Sequence, residues 1–182
     1  GRKDKTSPLF IACQNGNENL VQLLLDNGAD INICDEDGAS PLLIACQKGY
    51  NKIVQLLLTT GANIDSCTLK GFSPLIIACV NGHEETVRTL LKHGAEVNLC
   101  TSSGASPLFI ASLKGFESSV QLLLDKEAAV NICMYNGVSP LYIACENDHI
   151  STVKLLLSNK ADANLGRKDK TSPLFIACQN GN

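Results

Sequence analysis

Apolar side chains arrive along this chain in two alternating kinds of burst, separated by short polar stretches. Across residues 35–67 the first burst is Leu42, Leu43, Ile44, Ala45 and Cys46, preceded by Ser40-Pro41 and followed by Gly49. A serine hydroxyl at the N-cap accepts a bond from an orphan amide of the first turn, and proline at the first helical position has its φ already set. The pattern predicts a short helix that starts at Pro41 and is closed by Gly49, whose missing Cβ permits a left-handed conformation. The second burst, Ile53, Val54, Leu56, Leu57 and Leu58, recurs at helical spacing and stops at Gly61. It predicts a second helix with a wide apolar face. From Ala62 to Gly71, β-branched residues mix with Asn, Asp and Gly, as a tight extended turn or hairpin would require. One unit is helix, turn, helix, finger.

The unit repeats. Ser-Pro stands at Ser7-Pro8, Ser40-Pro41, Ser73-Pro74, Ser106-Pro107, Ser139-Pro140 and Ser172-Pro173, always 33 residues apart, and these hold all six prolines. A helix pair with one apolar face per helix cannot close a core by itself, so successive units must stack and bury that face on the next copy. The expected fold class is an all-α repeat solenoid of stacked helix-turn-helix units with β-hairpin-like fingers, one domain over residues 1–182.

The blocks SPLLIACQKG, IVQLLL and GANID, at this period, resemble the TPLHLAA, VVxLLL and GAxxN blocks of the ankyrin repeat. The resemblance covers five full units and a partial sixth. It implies a protein-protein interaction scaffold that binds through the concave face formed by fingers and first helices. Matched residue by residue, that face holds Glu36, Asp37, Ala39, Gln47 and Lys48, then Leu69, Lys70, Phe72, Val80 and Asn81. It continues through Ser102, Ser103, Ala105, Leu113 and Lys114 to Tyr135, Asn136, Val138, Glu146 and Asn147. Leu69, Phe72, Leu113, Tyr135 and Val138 form the expected apolar anchor cluster, since hot spots favour aromatic and apolar groups within a polar ring.

Three departures from the family pattern carry expectations of their own. The histidine usual after Pro-Leu is replaced by Phe10, Leu43, Ile76, Phe109, Tyr142 and Phe175, which predicts a more apolar seam between repeats. The glycine that closes the second helix becomes Glu127 and Lys160, and Asp148 replaces a turn glycine, so the later units are expected to be softer. Lys5 and Lys170 stand at the finger glycine and predict a finger of different shape.

Residues 166–182 copy residues 1–17 letter for letter, 165 residues or five periods apart. Internal units share only the framework, so equal drift does not explain the identity. A recent duplication of a five-unit block, deliberate engineering, or a window on a longer array accounts for it, with the first and third favoured. Neither end carries the polar capping unit that solenoids ordinarily need. This predicts end-stacking through Leu9, Phe10, Ile11, Leu174, Phe175 and Ile176, and hence a second function class: a structural protein forming head-to-tail filaments or a continuous superhelix.

Composition narrows the remaining classes. A net charge of −3, a pI near 5.6 and no Trp supply neither a basic field nor a stacking platform for nucleic acid. The longest apolar runs, such as Leu75 to Val80, are far short of a membrane span, so no membrane insertion is expected. Nine cysteines fall in two rows: Cys13, Cys46, Cys79, Cys145 and Cys178 beside Ala in the first helix, with Ser112 in the same slot, and Cys34, Cys67, Cys100 and Cys133 in the finger. Layers about 10 Å apart hold row neighbours beyond disulfide reach. Reduced thiols, and the lack of an Asn-x-Ser/Thr sequon, point to an intracellular, cytoplasmic setting. No CxxC pair occurs, and His83, His93 and His149 do not converge with cysteines at zinc spacing, so no metal and no cofactor is expected. Without a Gly-rich phosphate loop, nucleophile elbow or HExxH, no catalytic residue is assigned and the chain is not expected to be an enzyme. Glu84-Glu85 reads as a negative helix start and His83 as part of a structural turn block.

Overall fold

The computed structural model describes residues 6–167 and 171–179. Among these it holds eleven α-helices and no strand: α1 Pro8–Gln14, α2 Glu18–Asp26, α3 Pro41–Lys48, α4 Asn51–Thr59, α5 Pro74–Asn81, α6 Glu84–Lys92, α7 Pro107–Lys114, α8 Glu117–Asp125, α9 Pro140–Glu146, α10 Ile150–Ser158 and α11 Pro173–Gln179. Each odd-numbered helix begins as the Ser-Pro pattern predicts. Ser40 Oγ accepts from the Leu43 amide at 3.1 Å, and Ser7, Ser73, Ser106, Ser139 and Ser172 cap their helices in the same way.

Although the sequence period runs unbroken through residues 1–182, the folded chain groups into two compact units, Gly1–Glu96 and Val97–Asn182. In the first unit α1, α3 and α5 pack side by side, α2, α4 and α6 form a second layer, and each odd helix packs on the even helix that follows it. Leu9, Leu42 and Leu75 and the valines Val21, Val54 and Val87 fill the space between the layers and are all buried. The second unit repeats this with α7, α9 and α11 against α8 and α10, around Leu108, Leu141, Val120, Leu123 and Leu156. The apolar row that replaces histidine belongs to these cores: Phe10, Leu43, Ile76, Phe109 and Tyr142 are buried, whereas Phe175 is exposed.

The fingers are tighter than a hairpin of two strands. A backbone bond spans the base of each: the Asp35 amide donates to Ala39 O at 3.0 Å, Thr68 to Phe72 O at 3.0 Å, Thr101 to Ala105 O at 3.0 Å and Met134 to Val138 O at 3.0 Å. Neighbouring fingers join through Leu69 N to Asp37 O at 2.9 Å in the first unit and Tyr135 N to Ser103 O at 3.2 Å in the second. The altered finger expected at Lys5 and Lys170 lies outside the described residues.

Two further devices tie layer to layer. Side-chain carbonyls or carboxylates at one repeat position accept from the backbone of the next repeat: Asn32 from Asn63 at 2.9 Å, Asp65 from Glu96 at 3.0 Å, Asn98 from Ala129 at 2.8 Å and Asn131 from Asp162 at 2.9 Å. Rings also lie on glycines of the preceding repeat. A Cβ built on Gly16 would come within 2.8 Å of Tyr50, on Gly49 within 2.6 Å of His83, and on Gly115 within 2.6 Å of His149. Only glycine leaves room for those rings.

Candidate functional site

In the first unit residues of α1, α3 and α5 and of two fingers, around Asp37 and Lys70, line a groove of about 720 Å³. Its floor is apolar and comes from the odd-numbered helices. Phe10, Leu43 and Ile44 are buried in it, and Ile11 and Ile77 are half-buried. Gln14 and Gln47 line it from the C-terminal turns of α1 and α3. The finger side carries Asp35, Asp37 and Ala39 from one finger and Leu69, Lys70 and Phe72 from the next. Leu69 is 80% exposed, an unusual position for leucine. Asp35 holds its finger in shape, since its Oδ1 accepts from the amides of Asp37 at 3.0 Å and Ala39 at 2.8 Å.

Of the expected surface residues, this groove gathers Asp37, Ala39, Gln47, Leu69, Lys70 and Phe72. Glu36 and Lys48 are exposed and Val80 is half-buried, all outside its lining. The floor residues were not assigned to binding from sequence, although Phe10 and Ile11 were assigned to end-stacking. A signal was available: isoleucine recurs unchanged at Ile11, Ile44 and Ile77, a row too regular to be a variable surface, of which Ile11 and Ile77 are only half-buried.

The second unit uses the equivalent positions differently. Val138 was expected in the anchor cluster, but it is 6% exposed and packs with Ala105, Phe109, Tyr142 and Ile143 in one buried cluster. The reason is volume: an aromatic ring from each of α7 and α9 reaches the finger and closes over it. Leu113, half-buried, packs against the same cluster, beside Met134. Tyr135 at the finger tip is 71% exposed, and Lys114, Asn136 and Glu146 are exposed as well. Of the residues expected to stack end to end, Leu9 and Phe10 are buried, Ile11 and Ile176 are half-buried, and Leu174 and Phe175 are 68% and 55% exposed.

The titratable groups serve structure. His83 Nε2 lies 3.0 Å from Gln47 O and His149 Nε2 lies 3.1 Å from Leu113 O. A carbonyl only accepts, so each Nε2 carries the proton and donates it to the previous repeat. His93 pairs Nδ1 with Thr89 O at 2.9 Å on its own helix. Glu84 and Glu85 open α6 and pair with Arg88 at 2.8 and 3.6 Å. All nine cysteines are free thiols. Burial pushes Cys13 and Cys79 up to about 12 and raises Cys46 further still. None of these three is a nucleophile at neutral pH. The finger thiols donate to carbonyls two residues back, from Cys34 to Asn32 O at 3.4 Å and from Cys100 to Asn98 O at 3.3 Å. Among the described residues no group of three or more His, Cys, Asp and Glu is placed to hold a metal ion, and no helix is long and apolar enough to cross a membrane.

A search among curated proteins finds no match. A family model described as ankyrin repeats (3 copies) matches residues 2–67, 60–133 and 108–182. With its period, capped helix pairs and bonded fingers, the chain belongs to the ankyrin repeat family.

Proposed function

We propose that the chain is a non-enzymatic protein-binding scaffold that seats its partner in the groove of the first unit. Ankyrin repeats as a class are protein-protein interaction modules, and the observation that carries the assignment here is the form of that groove. An apolar floor drawn from three successive first helices lies beneath a rim that alternates acidic, basic and apolar tips, with Leu69 projecting into solvent. Concave apolar surface ringed by polar groups is where binding energy concentrates. The free thiols support an intracellular, reducing compartment.

Selection of a random peptide library displayed on phage, against the intact protein, tests the assignment. Enriched peptides are expected to lose about tenfold or more in affinity on the Leu69→Asp variant, which alters a tip exposed enough to leave folding intact. Peptides that bind this variant and a Phe72→Asp variant as well as they bind the parent protein would place binding elsewhere. A library that yields no enriched sequence counts against the assignment itself.

A further inference from the structure

Resting on that reading, we propose that the groove takes a short extended peptide segment, with apolar side chains at every third residue and a lysine or arginine over the finger of Asp37. The spacing comes from the floor. Ile11, Ile44 and Ile77 supply one side chain per helix layer, and packed helices stand about 10 Å apart, so the apolar row runs for about 20 Å. A polyproline-type segment returns to the same face every three residues, about 9.3 Å, and keeps step with such a row. A pleated strand returns about every 6.6 Å and falls out of step.

An α-helix also returns near this distance, at about 10.5 Å for two turns. Order before binding decides between them. A helix about 20 Å long has about 13 residues, and isolated helices that short are marginal in water. A polyproline-type segment is already extended before it docks and loses less entropy on binding.

The rim fixes the charge and the direction. Asp35 and Asp37 bring two carboxylates to one finger, and Lys70 stands on the next. Asp35 is engaged in folding its finger through the amides of Asp37 and Ala39. Asp37 gives its backbone carbonyl to Leu69, while its side chain is exposed at the groove edge. A cation on the peptide therefore gains at the Asp37 finger, which orients the segment with its basic residue toward the first repeats. Exposed pairs of this kind are individually weak. They select direction and partner more than they add affinity.

Two labelled peptides, with a third as a control of leucine spacing, test the proposal on the intact chain by fluorescence polarisation. One has leucine at every third position of a proline backbone and lysine at one end, and the other carries glutamate in place of the lysine. The lysine peptide is expected to bind about fivefold tighter, a preference that shrinks in high salt and reverses on Asp37→Lys, while Leu69→Asp weakens both peptides. Equal binding of the two peptides, a preference untouched by Asp37→Lys, or equal binding of a peptide with leucine at every second position would overturn the proposal. Failure of both peptides, while library sequences still bind in a Leu69-dependent way, removes this ligand class and leaves the scaffold assignment standing. Failure of both experiments removes both.

Discussion

The two units close their helices with different residues. In the first, all six helices run into a glycine with positive φ: Gly16, Gly28, Gly49, Gly61, Gly82 and Gly94. In the second, Gly115 does this after α7, but Glu127, Asp148 and Lys160 hold the same left-handed conformation after α8, α9 and α10, with φ of 60°, 58° and 66°. The fold demands positive φ from whatever residue stands there. The glycines of the first unit show why some of these exchanges are tolerated. A Cβ on Gly28, Gly61 or Gly94 would meet nothing within 4 Å, whereas on Gly16, Gly49 or Gly115 it would enter the ring of Tyr50, His83 or His149. Glu127 and Lys160 stand at the open kind of position and incur only backbone strain. The second unit has given up conformational ease at these positions and kept space.

The largest expected effect tests that division directly. Gly115→Ala is expected to destabilise the protein by about 3 kcal/mol, from left-handed strain together with overpacking against His149. Gly28→Ala should cost only the strain, about 1 kcal/mol. Urea unfolding of the intact chain measures both, and equal losses would end the distinction between crowded and open closures.

The thiols separate the units a second time. Cys13, Cys46 and Cys79 are buried in the first unit with raised pKa, while the matching slot of α7 holds Ser112, whose buried hydroxyl finds no hydrogen-bond partner in the structure. An unfolded thiol ionises near 9.0 and these folded ones only near 12 or above. Between those values the unfolded state binds fewer protons, so stability is flat below about pH 9 and falls as pH rises, by up to about 1.4 kcal/mol per pH unit for each thiol. Cys46→Ala should flatten this alkaline decline. Ser112→Cys should steepen it and, at neutral pH, add about 1 kcal/mol by removing an unsatisfied hydroxyl. Denaturation midpoints from about pH 7 to about pH 11 read both effects. A Ser112→Cys variant no more stable than its parent would mean that the hydroxyl is satisfied in solution.

The smallest effect returns to the closures. Glu127→Gly and Lys160→Gly should each raise stability by about 1 kcal/mol, since glycine holds positive φ without strain. A null result in thermal melts of both variants would show that long side chains compensate for the strain from the solvent side.

Much of this was legible before folding, and the remainder was hidden for definable reasons. Ser40-Pro41 and Gly49 mark both ends of α3 because capping is local: the Ser40 hydroxyl bonds an amide three residues away. The partner of His83 was not legible, because Gln47 lies thirty-six residues back and the bond exists only after two repeats have stacked. Finger residues failed for another reason. Ala39, Phe72, Ala105 and Val138 share one repeat position, yet Phe72 lines the groove and Val138 is core, because the size of its neighbours on α7 and α9 decides what remains open. The groove floor was overlooked because an invariant isoleucine row reads as framework until the half-exposure of Ile11 and Ile77 is seen.

The bonds from Asn32, Asp65, Asn98 and Asn131 each join a side chain to an amide thirty-one residues later, spanning a finger and two helices. Each is a gauge of length. A single inserted residue in α4 would carry Asn63 past the carbonyl of Asn32 and turn the following finger by about 100° of helix. The residue that donates its backbone amide varies freely, as Asn63, Glu96, Ala129 and Asp162 show, but the acceptor stays Asn or Asp and the length between them cannot change. The gauge accounts for a chain whose internal repeats differ at most surface positions while all six of its Ser-Pro marks remain 33 residues apart.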